Sequence, residues 1–444
     1  MLVITANWSI PDGTLYGPLS WGRAQHFFLA LHRAALRFGF RHDGTYHPVE
    51  QIDLVFAGDT GDWLVSSEWT EKMRPWHRSS RTTEIVHRVA AGSLRCGARF
   101  FARLSQLVRD GVGVPQADSR GRPVLQSSKR ASVRVTLLSG DRDRWLEHPA
   151  FASLATRHAL SVGAQWSNQS VVVCHGDAFD PLGSSWQCDQ DPHGASGHIA
   201  SALDRPPSLS ESLAVDLLAR FGRAICEQGQ LRSRVSSLLR RLATGWPLDM
   251  PTHIGAWLMA NKVSAEPDHT ARQVLVEAWR RAVGHWHREA RRVVPESFMQ
   301  CDSIDRLAGW LETVEEHTQE SRGGGCADAF LMSTGLSLEQ TGLSYAAAPT
   351  QMQAPRAVVL GHPPAHLSTV AKQGQHTTVC LGPALLPQSV LSPVLDSSGC
   401  VDVSFITPRS ASQRACTPVA IALLDNGKDG PADRIVFPDE RYRE

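Results

Sequence analysis

Four clusters in this sequence bring carboxylates and imidazoles to places where an apolar run has just ended. They read Gly58-Asp59-Thr60-Gly61-Asp62, Gly140-Asp141-Arg142-Asp143, His175-Gly176-Asp177 and Gly361-His362-Pro363-Pro364. Carboxylate oxygens and imidazole nitrogens suit Mn, Fe or Zn, so the chemistry open to these residues begins with metal binding. A strand that simply leaves the core also meets Gly and Asp as it turns, and any one junction is explained equally well that way. Four junctions with metal-capable residues are harder to explain as turns alone.

The elements that must position these clusters are short runs rich in Val, Ile and Leu. Leu2 to Thr5, Ile52 to Ala57, Val133 to Leu138, Val171 to Cys174 and Ala357 to Leu360 have the character of strands buried on both faces. Polar residues just past the carboxyl end of such strands project into the crevice where α/β sheets bind ligands. A helix is expected over Gln25 to Phe38, with apolar spacing through Phe28, Leu31, Ala35 and Phe38. This alternation of strand and helix predicts an α/β fold.

From about Pro207 to Glu320 the pattern changes to amphipathic helices, at Leu213 to Ile225, Val235 to Leu242, Ala271 to Arg292 and Ile304 to Thr318. Ser208 and Ser210 are candidate caps for the first of them. Gly323-Gly324-Gly325 reads as a flexible exit, because it lacks the Lys and following Ser or Thr of a phosphate-binding loop. Strand-like runs return at Thr377 to Leu381, Val401 to Ile406 and Val419 to Leu424. The expected organisation is therefore one domain in two parts, 1–206 and 346–425, around a helical, lid-like insertion at 207–345, with a polar tail at 426–444.

With 444 residues, 42% of them hydrophobic, the chain can bury a large core. Its 45 basic and 44 acidic residues leave a formal charge of +1, so bulk electrostatics recruits neither nucleic acid nor an anionic membrane. Met1 runs straight into Leu2-Val3-Ile4 without the features of a signal peptide, and no apolar run is long enough to cross a bilayer. The nine cysteines are scattered, as suits reduced thiols. A soluble cytoplasmic protein is expected.

The string from Asp53 through Gly58-Asp59-Thr60-Gly61-Asp62 to Leu64 resembles the second signature of the calcineurin-like metallophosphoesterases. Val173-Cys174-His175-Gly176-Asp177-Ala178-Phe179-Asp180 is similar to that family's His-Gly-Asp signature, particularly in its UDP-2,3-diacylglucosamine pyrophosphatase branch. The resemblance covers roughly residues 1–205 and 346–410. It implies a four-layer α/β/β/α sandwich with two divalent cations about 4 Å apart, bridged by an Asp and poised for in-line attack of hydroxide on a phosphoryl group.

Carried over residue by residue, one metal would be held by Asp59, by Asp141 at the family's Asn position, by His175 and by His362. The private ligands of the other fall on Ala6, Trp8 and Pro364, none of which can coordinate. The resemblance thus implies a single Mn, Zn or Fe; His366 could replace Pro364 only if its loop shifted. The family's acid His falls on Arg142, which cannot give up a proton at usable pH and is left either to clamp a phosphate or to pair with Asp143. Asp141 has an alternative as a solvent-facing or turn-capping residue, and Asp62, Asp143 and Asp177 are expected to brace their loops.

Three functions follow: a one-metal phosphoesterase with Asp59 and Arg142 in the catalytic machinery, a catalytically silent relative that binds metal, nucleotide or protein, or a scaffold whose helical insertion is the working part on a passive phosphoesterase-like platform. The expected ligand is a phosphorylated small molecule or nucleotide-like compound, with the helical insertion open to a protein partner. His285 and His287, two apart on one helix, cannot chelate together and are read as a solvated face. His193 and His198 are read as loop residues, and the tryptophans at 246, 257, 279, 286 and 310 as packing residues of the insertion.

Overall fold

The computed structural model describes residues 1–17, 21–41, 43–69, 72–77, 79–148, 151, 155–168, 171–177, 207–228, 232–244, 250–262, 269–293, 298–313, 357–361, 369–373, 376–380, 403–405 and 420–422. The first part of the chain forms β1 (Leu2–Thr5), β2 (Ile10–Pro11), β3 (Gln51–Ala57), β4 (Gly61–Asp62), β5 (Val112–Ala117), β6 (Pro123–Leu138) and β7 (Ser161–Gly163), with α1 (Trp21–Phe38), α2 (Ser80–Cys96) and α3 (Ala98–Asp110) between them. β8 (Gln165–Ser167), β9 (Val171–Cys174), β10 (Ala357–Leu360), β11 (Thr369–Gln373) and β12 (His376–Cys380) build a second sheet, and β13 (Val403–Phe405) pairs with β14 (Ala420–Ala422) beside β1.

The fold is mixed α/β. The first sheet runs β1-β3-β6-β5, parallel from β1 to β6, with β7 parallel to β6 and β5 antiparallel to it. The second runs β11-β12-β10-β9-β8, with a parallel centre and antiparallel outer strands. β1 is buried along its whole length, as its uninterrupted apolar run requires, whereas β6 alternates buried Ala131, Val133 and Val135 with exposed Ser132 and Arg134. β3 approaches β9, and β6 approaches β8, so the carboxyl ends of strands from both sheets come together.

All five apolar runs expected to be strands are strands, with β6 extended backwards into a hairpin arm. The helix expected at Gln25 to Phe38 begins earlier, at Trp21. Helices not anticipated in this part of the chain are α2, which packs on β2, and α3, which packs on β6; Ser79 caps α2 by accepting a hydrogen bond from the Thr82 amide at 3.1 Å.

The helical region starts with α4, continuous from Leu209–Ser212 through a π-helical stretch, Leu213–Ala219, to Arg220–Cys226. α5 (Arg232–Thr244), α6 (Met250–Lys262), α7 (His269–Val293) and α8 (Phe298–Glu312) follow. The last was expected at Ile304 to Thr318 and lies earlier, while residues 314–320 are outside the described set. Phe221 and Trp279 meet edge to face at 5.3 Å, and the apolar side chains of these helices join those of the sheets in one contiguous core. Trp279 and Trp286 are fully buried in it, with Trp257 and Trp310 packed at its margin. The glycine triplet at 323–325, the boundary near 345 and the tail 426–444 lie outside the described residues. Among the described residues no helix is long and apolar enough to cross a membrane.

Candidate metal centre

Asp59, Asp141 and His175 stand at the ends of three strands and meet. Their ligand-capable atoms lie within 4.8 Å of one another, and all three residues are buried. His175 Nε2 is 3.1 Å from Asp141 Oδ1 and 3.6 Å from Asp59 Oδ2. Its other ring nitrogen, Nδ1, faces the Ala57 carbonyl at 3.0 Å. A carbonyl only accepts, so Nδ1 carries the hydrogen and Nε2 is directed at the carboxylates, the arrangement in which metal-ligating histidines are held.

The local backbone is shaped for this meeting. Gly58 has φ +90°, and a Cβ on it would stand 2.1 Å from His175 Nδ1, so the ring can pack over the chain only because position 58 has no side chain. Asp59 itself is left-handed at φ 52°, and Asn7 and Ser9 beside it have φ 57° and 47°. Of the non-glycine residues in this conformation among those described, three of the four thus flank the centre, where strain is tolerated if surrounding contacts fix it. Those contacts are present: the Asn7 amide donates to Gly58 O, the Ser9 amide to Asp59 O and the Arg142 amide to Asp59 Oδ1 at 3.0 Å.

Asp143 braces the two loops, accepting from the Gly140 amide at 2.8 Å and the Gly61 amide at 2.9 Å. Burial pushes its carboxyl up to about 6 in spite of both hydrogen bonds. Asp62 accepts from the Tyr16 hydroxyl and is raised by burial, with the Arg142 guanidinium opposing the shift. For His175, burial disfavours the charged ring, but Asp59 and Asp141 outweigh it and hold the pKa well above the ordinary value.

Arg142 is buried, and its charge faces Asp62 at 3.9 Å and Asp141 at 4.0 Å. Of the two alternatives for Arg142, the pairing with Asp143 is not what its side chain makes; Asp143 accepts from the backbone amides of Gly61 and Gly140. Asp141 does not face solvent. It is fully buried, and its Oδ2 accepts a hydrogen bond from Ser210 Oγ at 2.9 Å.

That serine is a site residue that sequence reasoning placed only as a cap. The cap is Ser208, which forms a reciprocal capping box with Glu211. Ser210, one turn position inside α4, is turned to the metal-ligand candidate instead. Glu211 in turn meets Arg144 in a buried ion pair at 3.2 Å. The start of α4 is thereby joined to the loop that carries Asp141 and Arg142.

Ala6 and Trp8 are buried and carry no ligating atom towards the cluster. Trp8 stacks in an aromatic group with Phe27 at 5.1 Å and Phe100 at 4.7 Å, and its indole donates to Thr5 Oγ1. His362, His366, Pro364, His193 and His198 lie outside the described residues; Gly361, just before His362, donates its amide to Cys174 O and sits against the Ala57 carbonyl. His285 is not on a solvated face. It is buried, 4.0 Å from Asp216 of the π-helical stretch of α4, which forms an ion pair with Arg74. His287, more exposed, pairs with Asp305, so the two histidines do point apart.

Comparison with protein-family models finds none that matches this chain, and comparisons with curated proteins and with solved structures find no significant match.

Proposed function

We propose that this chain is a divergent metallophosphoesterase that holds a single divalent cation at Asp59, Asp141 and His175, with His362 as a fourth ligand, and acts on a phosphoester or pyrophosphate bond. The observation that carries the reading is the convergence of two carboxylates and one correctly oriented imidazole from three separate strand ends within 4.8 Å. The likeness of the motifs to the calcineurin-like family supports it, as do two mixed sheets with helices over them, which fit the family's four-layer sandwich.

Charge supports one cation rather than two. Asp59, Asp62 and Asp141 are buried carboxylates with Arg142 as the buried arginine among them, and buried charge is costly unless it is compensated. Arg142 and one divalent ion supply three positive charges against these three carboxylates; Asp143, pushed up only to about 6, is ionised above that pH and is held by the Gly61 and Gly140 amides. Mn, Zn and Fe all suit the donor set. Such an ion polarises a phosphoryl oxygen and brings the pKa of a bound water towards neutrality. The chain's own residues orient the site: Ala57 O fixes the His175 ring, the Arg142 amide fixes Asp59, and Arg142 offers a guanidinium that can engage a phosphate. The substrate class is a phosphorylated small molecule or nucleotide-like compound.

A second reading, a metal or nucleotide binder without turnover, is favoured by one specific observation: Arg142 stands where the family has its acid His, and an arginine cannot protonate a leaving group. The deciding experiment measures metal per chain and hydrolysis of phosphodiesters and nucleotide diphosphates, for the wild-type protein and an Asp59→Ala, His175→Ala variant. One equivalent of metal with turnover, both lost in the variant, supports the enzyme. One equivalent without turnover supports the metal binder, whereas no metal after Mn reconstitution overturns the enzyme and leaves the nucleotide binder, which titration with a nucleotide diphosphate then decides.

A further inference from the structure

Ser210, in the first turn of α4, donates a hydrogen bond to one of the three candidate ligands, Asp141. Its Oγ lies 2.9 Å from Asp141 Oδ2, while Asp141 Oδ1 faces His175 Nε2 at 3.1 Å. The two oxygens of Asp141 therefore have separate duties: one is tied to the helix, and the other is aimed at the cluster. We infer that Ser210 is a positioning residue of the metal centre, which holds Asp141 in a one-oxygen binding pose and makes the affinity of the site depend on the seating of α4.

The placement of Ser210 is itself fixed twice. The capping box of Ser208 and Glu211 sets the start of the helix, with the Ser208 amide donating to Glu211 Oε2 at 2.7 Å and the Glu211 amide to Ser208 Oγ at 3.1 Å. The buried Arg144–Glu211 pair then ties this turn to the short helix Arg144–Glu147 that follows the Asp141 loop. Ser210 and Ser212 are both buried on this turn, yet their duties differ: Ser212 Oγ accepts from Trp286 Nε1 at 3.0 Å and donates to Leu209 O. A hydroxyl on Ser210 is thus directed at a ligand by a rigid frame, which is the condition for an outer residue to tune a metal site. Removal of such outer partners characteristically weakens metal binding by about 10- to 100-fold.

This inference rests on the one-metal reading, and the two can fail separately. Mn2+ affinity is measured by calorimetric titration of the full chain for wild type, Ser210→Ala, Ser210→Thr and Ser212→Ala, together with the visible absorption of the Co2+-loaded forms as a report on coordination. The expected result is one Mn2+ per wild-type chain, about 10- to 100-fold weaker binding and an altered Co2+ spectrum in Ser210→Ala, recovery in Ser210→Thr, and wild-type affinity in Ser212→Ala. Wild-type affinity and an unchanged Co2+ spectrum in Ser210→Ala overturn the role of Ser210 and leave the metal site standing. Equal weakening in Ser210→Ala and Ser212→Ala also overturns it, since that is loosened packing of the turn. A wild-type chain that binds no Mn2+ overturns the one-metal reading and the inference with it.

Discussion

Arg142 Nη1 stands 3.9 Å from Asp62 Oδ1, and each of these atoms is buried without a hydrogen-bond partner. The guanidinium is held in place by charge while one of its donors is left unused, and a buried unused donor is costly unless something fills it. A phosphate oxygen is a fitting acceptor.

The first prediction concerns this residue. Arg142→Lys keeps the charge but loses the planar fork, and inorganic phosphate is expected to bind the Mn-loaded variant about tenfold more weakly, a loss of about 1.4 kcal/mol. Arg142→Ala leaves Asp62 and Asp141 without their buried counter-charge and is expected to cost about 3–5 kcal/mol of stability in urea unfolding. Phosphate binding that is indifferent to both changes would remove Arg142 from the site.

Stability of the metal-free protein should fall as pH rises. Asp143 has its carboxyl raised from 3.8 to about 6, so between those values the folded state binds more protons than the unfolded one, and stability declines across that window. The shift of about two units corresponds to roughly 3 kcal/mol. His175 acts in the same direction: its contribution is complete below its unfolded pKa and is lost as pH rises through its raised folded value. With Mn2+ present the slope should reverse, because the metal competes with the His175 proton. Denaturation midpoints at pH 5 and pH 7.5, with chelator and with Mn2+, test both signs; a metal-free protein that gains stability towards pH 7.5 contradicts the assignment.

Placing the Asp and His of the calcineurin-like motif at positions 6 and 8 should not add a second metal. In Ala6→Asp, Trp8→His the new imidazole would start from a position whose side chain packs among Phe27, Phe56 and Phe100. The loss of that packing is expected to cost about 3–5 kcal/mol, with metal content still at one equivalent by elemental analysis. Two equivalents would show that the backbone at residue 8 can turn towards Asp59.

Strand ends were legible because chemistry and periodicity coincide there: Ile52 to Ala57 must be buried, and Gly58-Asp59 must leave the sheet. The helices α2 and α3 were passed over although their signal is present: Ile85, Val86, Val89 and Ala90 fall at helical spacing, and Phe100, Phe101, Leu104 and Leu107 repeat it in α3. The partner of Arg142 stayed open in the sequence because Asp143 is next to it there, and only the fold turns Asp143 to the amides of Gly61 and Gly140. Ser210 was seen as a cap and its contact with Asp141 was not, because 69 residues separate them and only the seating of α4 brings them together. His285 was misread for a similar reason: helical spacing tells which residues share a face, not which face the Arg74–Asp216 pair will cover.

Asn7 donates its side-chain amide to Gly361 O at 2.9 Å, across 354 positions of sequence. At a synthesis rate of about 5–20 residues per second, the loop carrying Asn7 waits roughly 20 to 70 s for its partner to be made. Throughout that interval the strained turn at residues 7–9 lacks one of its restraints, and β9, once made, lacks its neighbour β10. Assembly of the centre is thus a late event in the life of the nascent chain, and a release prior to residue 361 would yield a protein with Asp59, Asp141 and His175 present but the frame around them open.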